Sequence, residues 1–231
     1  MNKLVLIVFF ALFSLTVVQA QEFKFGLKGG INKTFGGQIT GNSSGGVYDD
    51  GTYNAEGEIG FHGGLWTQLS FGKFFLRPEV VYSKLESRFD FPGRSSIYNV
   101  DVLSVPFLVG YNVWGPIDIY AGPSYNKIMD ARLQGTEPES DPPLIVVQNF
   151  PLSAQAGIKA EFGAFGIDVR YDRSLATAEA QPLDIVNSTY GINRATFDDA
   201  RLHQIILSLT IKIWDSETAG QRRRRGGSCY F

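Results

Sequence analysis

The chain has 231 residues, enough for one or two domains and within the ordinary size of a single all-β barrel. Its formal net charge of -2 supplies no global basic field, which sets aside nucleic acid as a partner. Charged residues make up 19%, below the roughly 25% of soluble domains, while glycine and aromatics run high, a balance suited to an outer face that meets something other than water.

Residues 1–20 read as a secretory signal peptide. Met1-Asn2-Lys3 carries one positive charge, Leu4 to Val18 is an almost unbroken apolar run, and Val18-Gln19-Ala20 offers the residues a signal peptidase reads, with cleavage expected after Ala20. The run is about 15 residues long, short of the ~20 that span a bilayer as a helix. No later run approaches that length. The single cysteine, Cys229, excludes an internal disulfide.

Residues 21–214 divide into segments of period-two apolar alternation, predicting eight strands at 22–33, 56–71, 73–86, 98–113, 117–130, 150–163, 165–177 and 201–214. Three connections are tight: Gly72-Lys73, Trp114-Gly115-Pro116 and Gly163-Ala164 have hairpin-turn composition. The other four are read as long, polar loops over 34–55, 87–97, 132–149 and 178–200. Long and short connections alternate, so an up-and-down meander collects the long ones at one rim, as outer-membrane barrels do.

Each strand has an apolar and a polar face. Phe165, Ile167, Val169 and Tyr171 oppose Gly166, Asp168, Arg170 and Asp172; Phe74, Leu76, Pro78, Val80 and Tyr82 oppose Arg77, Glu79 and Ser83. A soluble lipocalin-like barrel would turn the apolar face inward around an apolar ligand. The aromatics argue for the opposite. Phe71, Phe74, Tyr111, Trp114, Phe162, Phe165 and Trp214 fall beside the short turns or chain end, and Tyr82, Tyr98, Tyr125, Phe150 and Tyr171 near the long loops. Phe74 to Tyr82 spans about 27 Å of strand, or roughly 20 Å of height at a ~40° tilt, close to an apolar band between two aromatic girdles. Lipid of the outer membrane is therefore the expected surrounding. Pro78, Pro106 and Pro123 fall inside predicted strands, where a missing N–H breaks the ladder, so bulges or shifted strand limits are expected there.

The same segments carry a family resemblance. Phe25-Gly26-Leu27-Lys28-Gly29-Gly30-Ile31-Asn32 resembles the opening strand of PorT-like outer-membrane β-barrel proteins; Leu76-Arg77-Pro78-Glu79-Val80-Val81-Tyr82-Ser83 and Leu103 to Tyr111 resemble the third and fourth strands, and Ile119 to Pro123 and Ala156 to Gly163 the fifth and sixth. The resemblance spans nearly the whole of 21–214 and implies an eight-stranded antiparallel outer-membrane barrel of small bore, mostly without assigned activity, one branch of which is linked to protein secretion. It also implies an end at the last strand, near Trp214. Here the chain continues over 215–231 through Arg222-Arg223-Arg224-Arg225, expected to be a solvated, disordered tail.

Candidate chemistry is sparse. Lys28, Arg77, Glu79, Lys159, Glu161, Asp168, Arg170 and Asp172 are expected to point into the bore, where opposite charges pair as a plug in so narrow a barrel. His62 and His203 are the two histidines, and no nucleophile, metal or cofactor motif accompanies either. No catalytic residue, metal or cofactor is therefore expected. Asp49-Asp50 and Asp198-Asp199 are read as loop-solvating charges. The reading is a non-catalytic scaffold with loops 34–55, 87–97, 132–149 and 178–200 open to envelope or extracellular partners, or a component of envelope assembly or secretion. A lipid-modifying hydrolase and a soluble apolar-ligand carrier are the alternatives.

Overall fold

The computed structural model describes residues 21–42, 51–135, 151–175, 179–185, 187–199 and 203–217. The predicted leader, Asp49-Asp50, Phe150, most of the 132–149 connection, Arg222–Arg225 and Cys229 lie outside these. In chain order the elements are β1 (Gln21–Phe35), β2 (Gln38–Gly41), β3 (Thr52–Asn54), β4 (Glu56–Gly57), β5 (Ile59–Phe71), β6 (Phe74–Asp90), β7 (Ser95–Trp114), β8 (Ile117–Leu133), β9 (Leu152–Phe162), β10 (Phe165–Ser174), β11 (Gln181–Asp184), a short helix α1 (Asn187–Tyr190), β12 (Arg194–Asp199) and β13 (His203–Asp215).

Eight of these form the barrel wall. β1, β5, β6, β7, β8, β9, β10 and β13 pair antiparallel with their chain neighbours, and β13 closes onto β1 from Lys24↔Asp215 to Phe35↔His203. The ring has no free edge, so every wall strand finds ladder partners on both sides. The three tight turns fall where glycine composition expects them. Gly72, Gly115 and Gly163 take φ of 62°, 55° and 62°, as primed two-residue hairpins demand.

The alternation resolves with the aliphatic face outward. Ile158, Ile167, Val169, Leu207, Leu209 and Ile211 are exposed on the barrel's outside, while Lys28, Arg77, Glu79, Asp168 and Arg170 are buried within it. The soluble-carrier alternative needs the reverse and does not hold. Phe74, Trp114, Phe162, Phe165 and Trp214 stand exposed around the short-turn end, and Tyr82, Tyr125 and Tyr171 around the other. Tyr98 is a correction: at 5% exposure it points inward, into a core beyond the tyrosine ring.

The prolines need neither bulges nor shifted limits. Pro78↔Phe107, Pro106↔Ser124 and Pro123↔Ala154 are in register. Beside Pro78 and Pro106 the pairing lapses for two residues and resumes unchanged, as between Trp66↔Glu79 and Leu69↔Leu76. A missing N–H costs a ladder bond there without adding a residue.

The long-loop end departs most from expectation. β6 and β7 pair from Phe74↔Tyr111 out to Asp90↔Ser95, so the 87–97 "loop" is two strand ends joined by residues 91–94. Among the described residues the wall runs higher over β6, β7 and β8 than over β9, β10 and β13. Parts of the 34–55 and 178–200 connections fold as well. β11, β12, β2 and β3 form a four-stranded sheet in that order. Its inner face packs on the tall wall through Ile39, Leu183 and Phe197, joined by Ile185 and Ile192 from the β11–β12 connection, against Phe89, Phe91, Tyr98, Val100 and Leu133. These segments are a cap with its own apolar core.

Candidate functional site

The bore is built from the polar face of all eight wall strands. Among the described residues, four cations in its interior, Lys28, Arg77, Lys159 and Arg170, stand with five carboxylates, Glu79, Asp118, Glu161, Asp168 and Asp172. The eight charged residues singled out in sequence all turn inward. Glu161 is the least enclosed, its side chain 20% exposed near the short-turn mouth.

Glu79 on β6 is the hub. It accepts from Lys28 Nζ at 3.0 Å, from Arg77 Nε at 2.8 Å, and from both terminal nitrogens of Arg170 at 2.9 and 3.0 Å. β6 and β10 stand opposite each other in the ring, so the forked Arg170–Glu79 pair crosses the full diameter. Arg170 Nη2 also donates to Asp168 at 3.0 Å and Nη1 to Gln155 at 2.9 Å. Tyr120 donates to Asp168 and lies 5.0 Å under the Arg170 guanidinium. Arg77 sits 4.4 Å over the Trp66 ring, whose Nε1–H is held by the Leu27 carbonyl at 3.0 Å. Planar guanidinium against indole fills space that a hydrated cation would otherwise need.

Lys159 closes the level nearer the short turns. It pairs with Asp118 at 3.0 Å and with Glu161, and donates to Gln68 at 2.8 Å across a second diameter, from β9 to β5. Its ammonium is 4.6 Å from the Phe75 ring. That ring is accommodated because residue 110 on the neighbouring strand is glycine: a Cβ there would lie 2.0 Å from Phe75 Cζ. Below this level the mouth opens as a polar bay of about 340 Å³ lined by Glu22, Lys24, Lys73, Asp118, Glu161 and Lys212.

Towards the cap, Asp172 Oδ2 accepts from Gln155 and Gln204 at 3.0 and 3.2 Å. His62 Nε2 lies 2.9 Å from Ser208 Oγ, the nearest approach to a serine–histidine pair. Ser208 is fully buried and His62 Nδ1 has no hydrogen-bond partner, so the carboxylate that would orient the ring is missing. His203 lies on β13 facing partly outward, away from His62. Among the described residues no cluster of three or more His, Cys, Asp or Glu suits a metal ion. Asp198 bonds Thr40 within the cap sheet.

Sequence alternation brought the charges to one face. It missed Asp118, Tyr120 and Gln68, although Ile117-Asp118-Ile119-Tyr120 shows the same period-two signal. The cap core leaves only a faint trace in the sequence: Leu183 and Ile185, and Ala195 and Phe197, alternate with polar residues in runs too short to mark a strand.

Residues 19–178 match the family described as outer membrane protein beta-barrel domain. No curated protein matches by sequence. Among solved structures, similarity extends to the outer membrane protein OprG from Pseudomonas aeruginosa, at 13% identity and TM-score 0.49 over 84% of this chain and 96% of that one. Neisserial surface protein A is similar at 11% identity and TM-score 0.41 over 82% and 97%, and Ail of Yersinia pestis at 12% and 0.37 over 84% and 100%.

Proposed function

This chain belongs to the outer membrane protein beta-barrel domain family, and from that premise we propose that it is a non-conducting, non-catalytic anchor that holds a folded cap at the cell surface as a binding face. Within the family we assign it to the PorT-like proteins, on the strand runs quoted above, with a role in envelope assembly or secretion. Export through a leader cut after Ala20 belongs to the same proposal; mass spectrometry of membrane-extracted protein should find an N-terminus at Gln21.

The observation that carries the reading is the filled bore. Two diameters are bridged by direct hydrogen bonds, Arg170–Glu79 and Lys159–Gln68, and Arg77 and Asp168 are fully buried between them. Eight strands leave an interior only wide enough for side chains, and the cap core covers the far end. A conduit would need that network dismantled, whereas a scaffold uses it as ballast and turns its variable segments outward.

Purified full-length protein in planar lipid bilayers should give no discrete conductance steps. Stable single-size channels from the unmodified chain would contradict the reading. In the native envelope, a photo-crosslinker at exposed Arg194 in the cap should give a discrete adduct that the same group at lipid-facing Val169 does not.

A further inference from the structure

The lumen network leaves one carboxylate over. Asp172 is 3% exposed, and among the described residues no cation lies within 4.0 Å of it. Its Oδ2 takes the two amide hydrogen bonds from Gln155 and Gln204 on the side where the Ser153 hydroxyl also stands, and its Oδ1 takes none. Two more buried oxygens beside it lack partners, Gln204 Oε1 and Ser174 Oγ. Register explains their meeting. Gln204 on β13 is directly across from Asp172, and Ser174 is two residues further along the same face of β10.

All three line one cavity of about 50 Å³ between the ionic network and the cap. Facing them are the aliphatic side chains of Leu85, Val100, Val102 and Ile128, with Tyr98 beside them and the hydrogen-bonded pair Asn126–Ser153 closing the side. An ionised carboxylate turned towards such a wall is costly unless something in the cavity supplies donors and positive charge. The space exceeds what one water needs. Three unfilled acceptors, one of them charged, match the three N–H donors of a primary ammonium. The aliphatic wall suits a short alkyl chain attached to it. A carboxylate ligand would be repelled, and an alcohol brings one donor and no charge.

We propose that this cavity is a binding site for a small primary alkylammonium, its head on Asp172, Gln204 and Ser174 and its chain against Val100, Val102 and Ile128. The site sits at the outer end of the bore, above both bridged diameters, so it does not depend on whether the barrel conducts or on what binds the cap.

The test uses the full chain in lipid nanodiscs with methyl NMR, titrating n-butylammonium at constant ionic strength. The methyls of Leu85, Val100, Val102 and Ile128 should shift saturably, while 1-butanol and butyrate leave them in place. Asp172→Asn should weaken binding at least tenfold without moving the outward methyls of Ile167 and Leu209. Ser174→Ala, which keeps the carboxylate, should weaken it a few-fold, and it carries the test if the first variant does not fold. The proposal is overturned if wild-type protein shows no saturable shift, if 1-butanol binds as well, or if the folded variants bind as tightly as wild type. It is equally overturned if sodium or calcium displaces the amine at matched concentration, which would make this an inorganic-cation site.

Discussion

At the scale of single residues, the most consequential position is Glu79. Its carboxylate is the shared partner of Lys28, Arg77 and Arg170, all buried. Replacing a partner in a buried ion pair typically costs about 3–5 kcal/mol, because the remaining charge is left uncompensated. Glu79→Ala should therefore lower the unfolding free energy of the folded, fast-migrating form by an amount in that range, read as a lower urea midpoint at unchanged slope. The exposed Arg88–Glu56 pair on the outside is a useful contrast, and Glu56→Ala should move the midpoint little. Gly110 tests packing rather than charge. Gly110→Val would drive a side chain into Phe75 and should cost about 1–3 kcal/mol; Phe75→Leu in the same chain should recover part of it.

At the scale of elements, the cap is the least expected feature. β6, β7 and β8 run well past the tyrosine ring, and their inward residues Phe89, Tyr98 and Leu133 have no barrel interior left to fill, so the sheet β11-β12-β2-β3 covers them. Phe89 meets Phe197 edge-on at 6.0 Å, and Tyr98 meets it at 5.4 Å. Removing a buried phenylalanine usually costs about 3–5 kcal/mol, and here the loss should fall on the cap alone. Phe89→Ala should expose the 179–199 segment to protease on intact cells while the barrel keeps its heat-modifiable mobility. The wall strands were legible because each alternates over ten or more residues. The cap strands were not, because four residues such as Gln38–Gly41 carry too little alternation to stand out in polar, glycine-rich surroundings. The 87–97 stretch, expected as a loop, is instead two strand ends: Pro92-Gly93 turns the chain, while Ser87, Phe89 and Phe91 continue the alternation of β6 up to that turn. The lumen charges were legible as a face, but their partners were not. Glu79 and Arg170 are 91 residues apart and meet only because the ring closes with β6 opposite β10.

At the scale of the whole molecule, the two faces of one sheet take opposite solvents, aliphatic to lipid and ionic to a closed interior. Both follow from the same period-two pattern once β13 has paired with β1. An ion network in place of an apolar core keeps the inward strand face distinct from the outward one, since a one-residue slip would put Asp168 and Arg170 into lipid. Methyl NMR of the full chain in nanodiscs doped with a doxyl-labelled lipid tests this arrangement most directly. The paramagnetic lipid should broaden Ile158, Ile167, Val169, Leu207, Leu209 and Ile211, and spare Leu85, Val100, Leu108 and Ile206. Broadening of the second group with sparing of the first, or equal broadening of both, would contradict it.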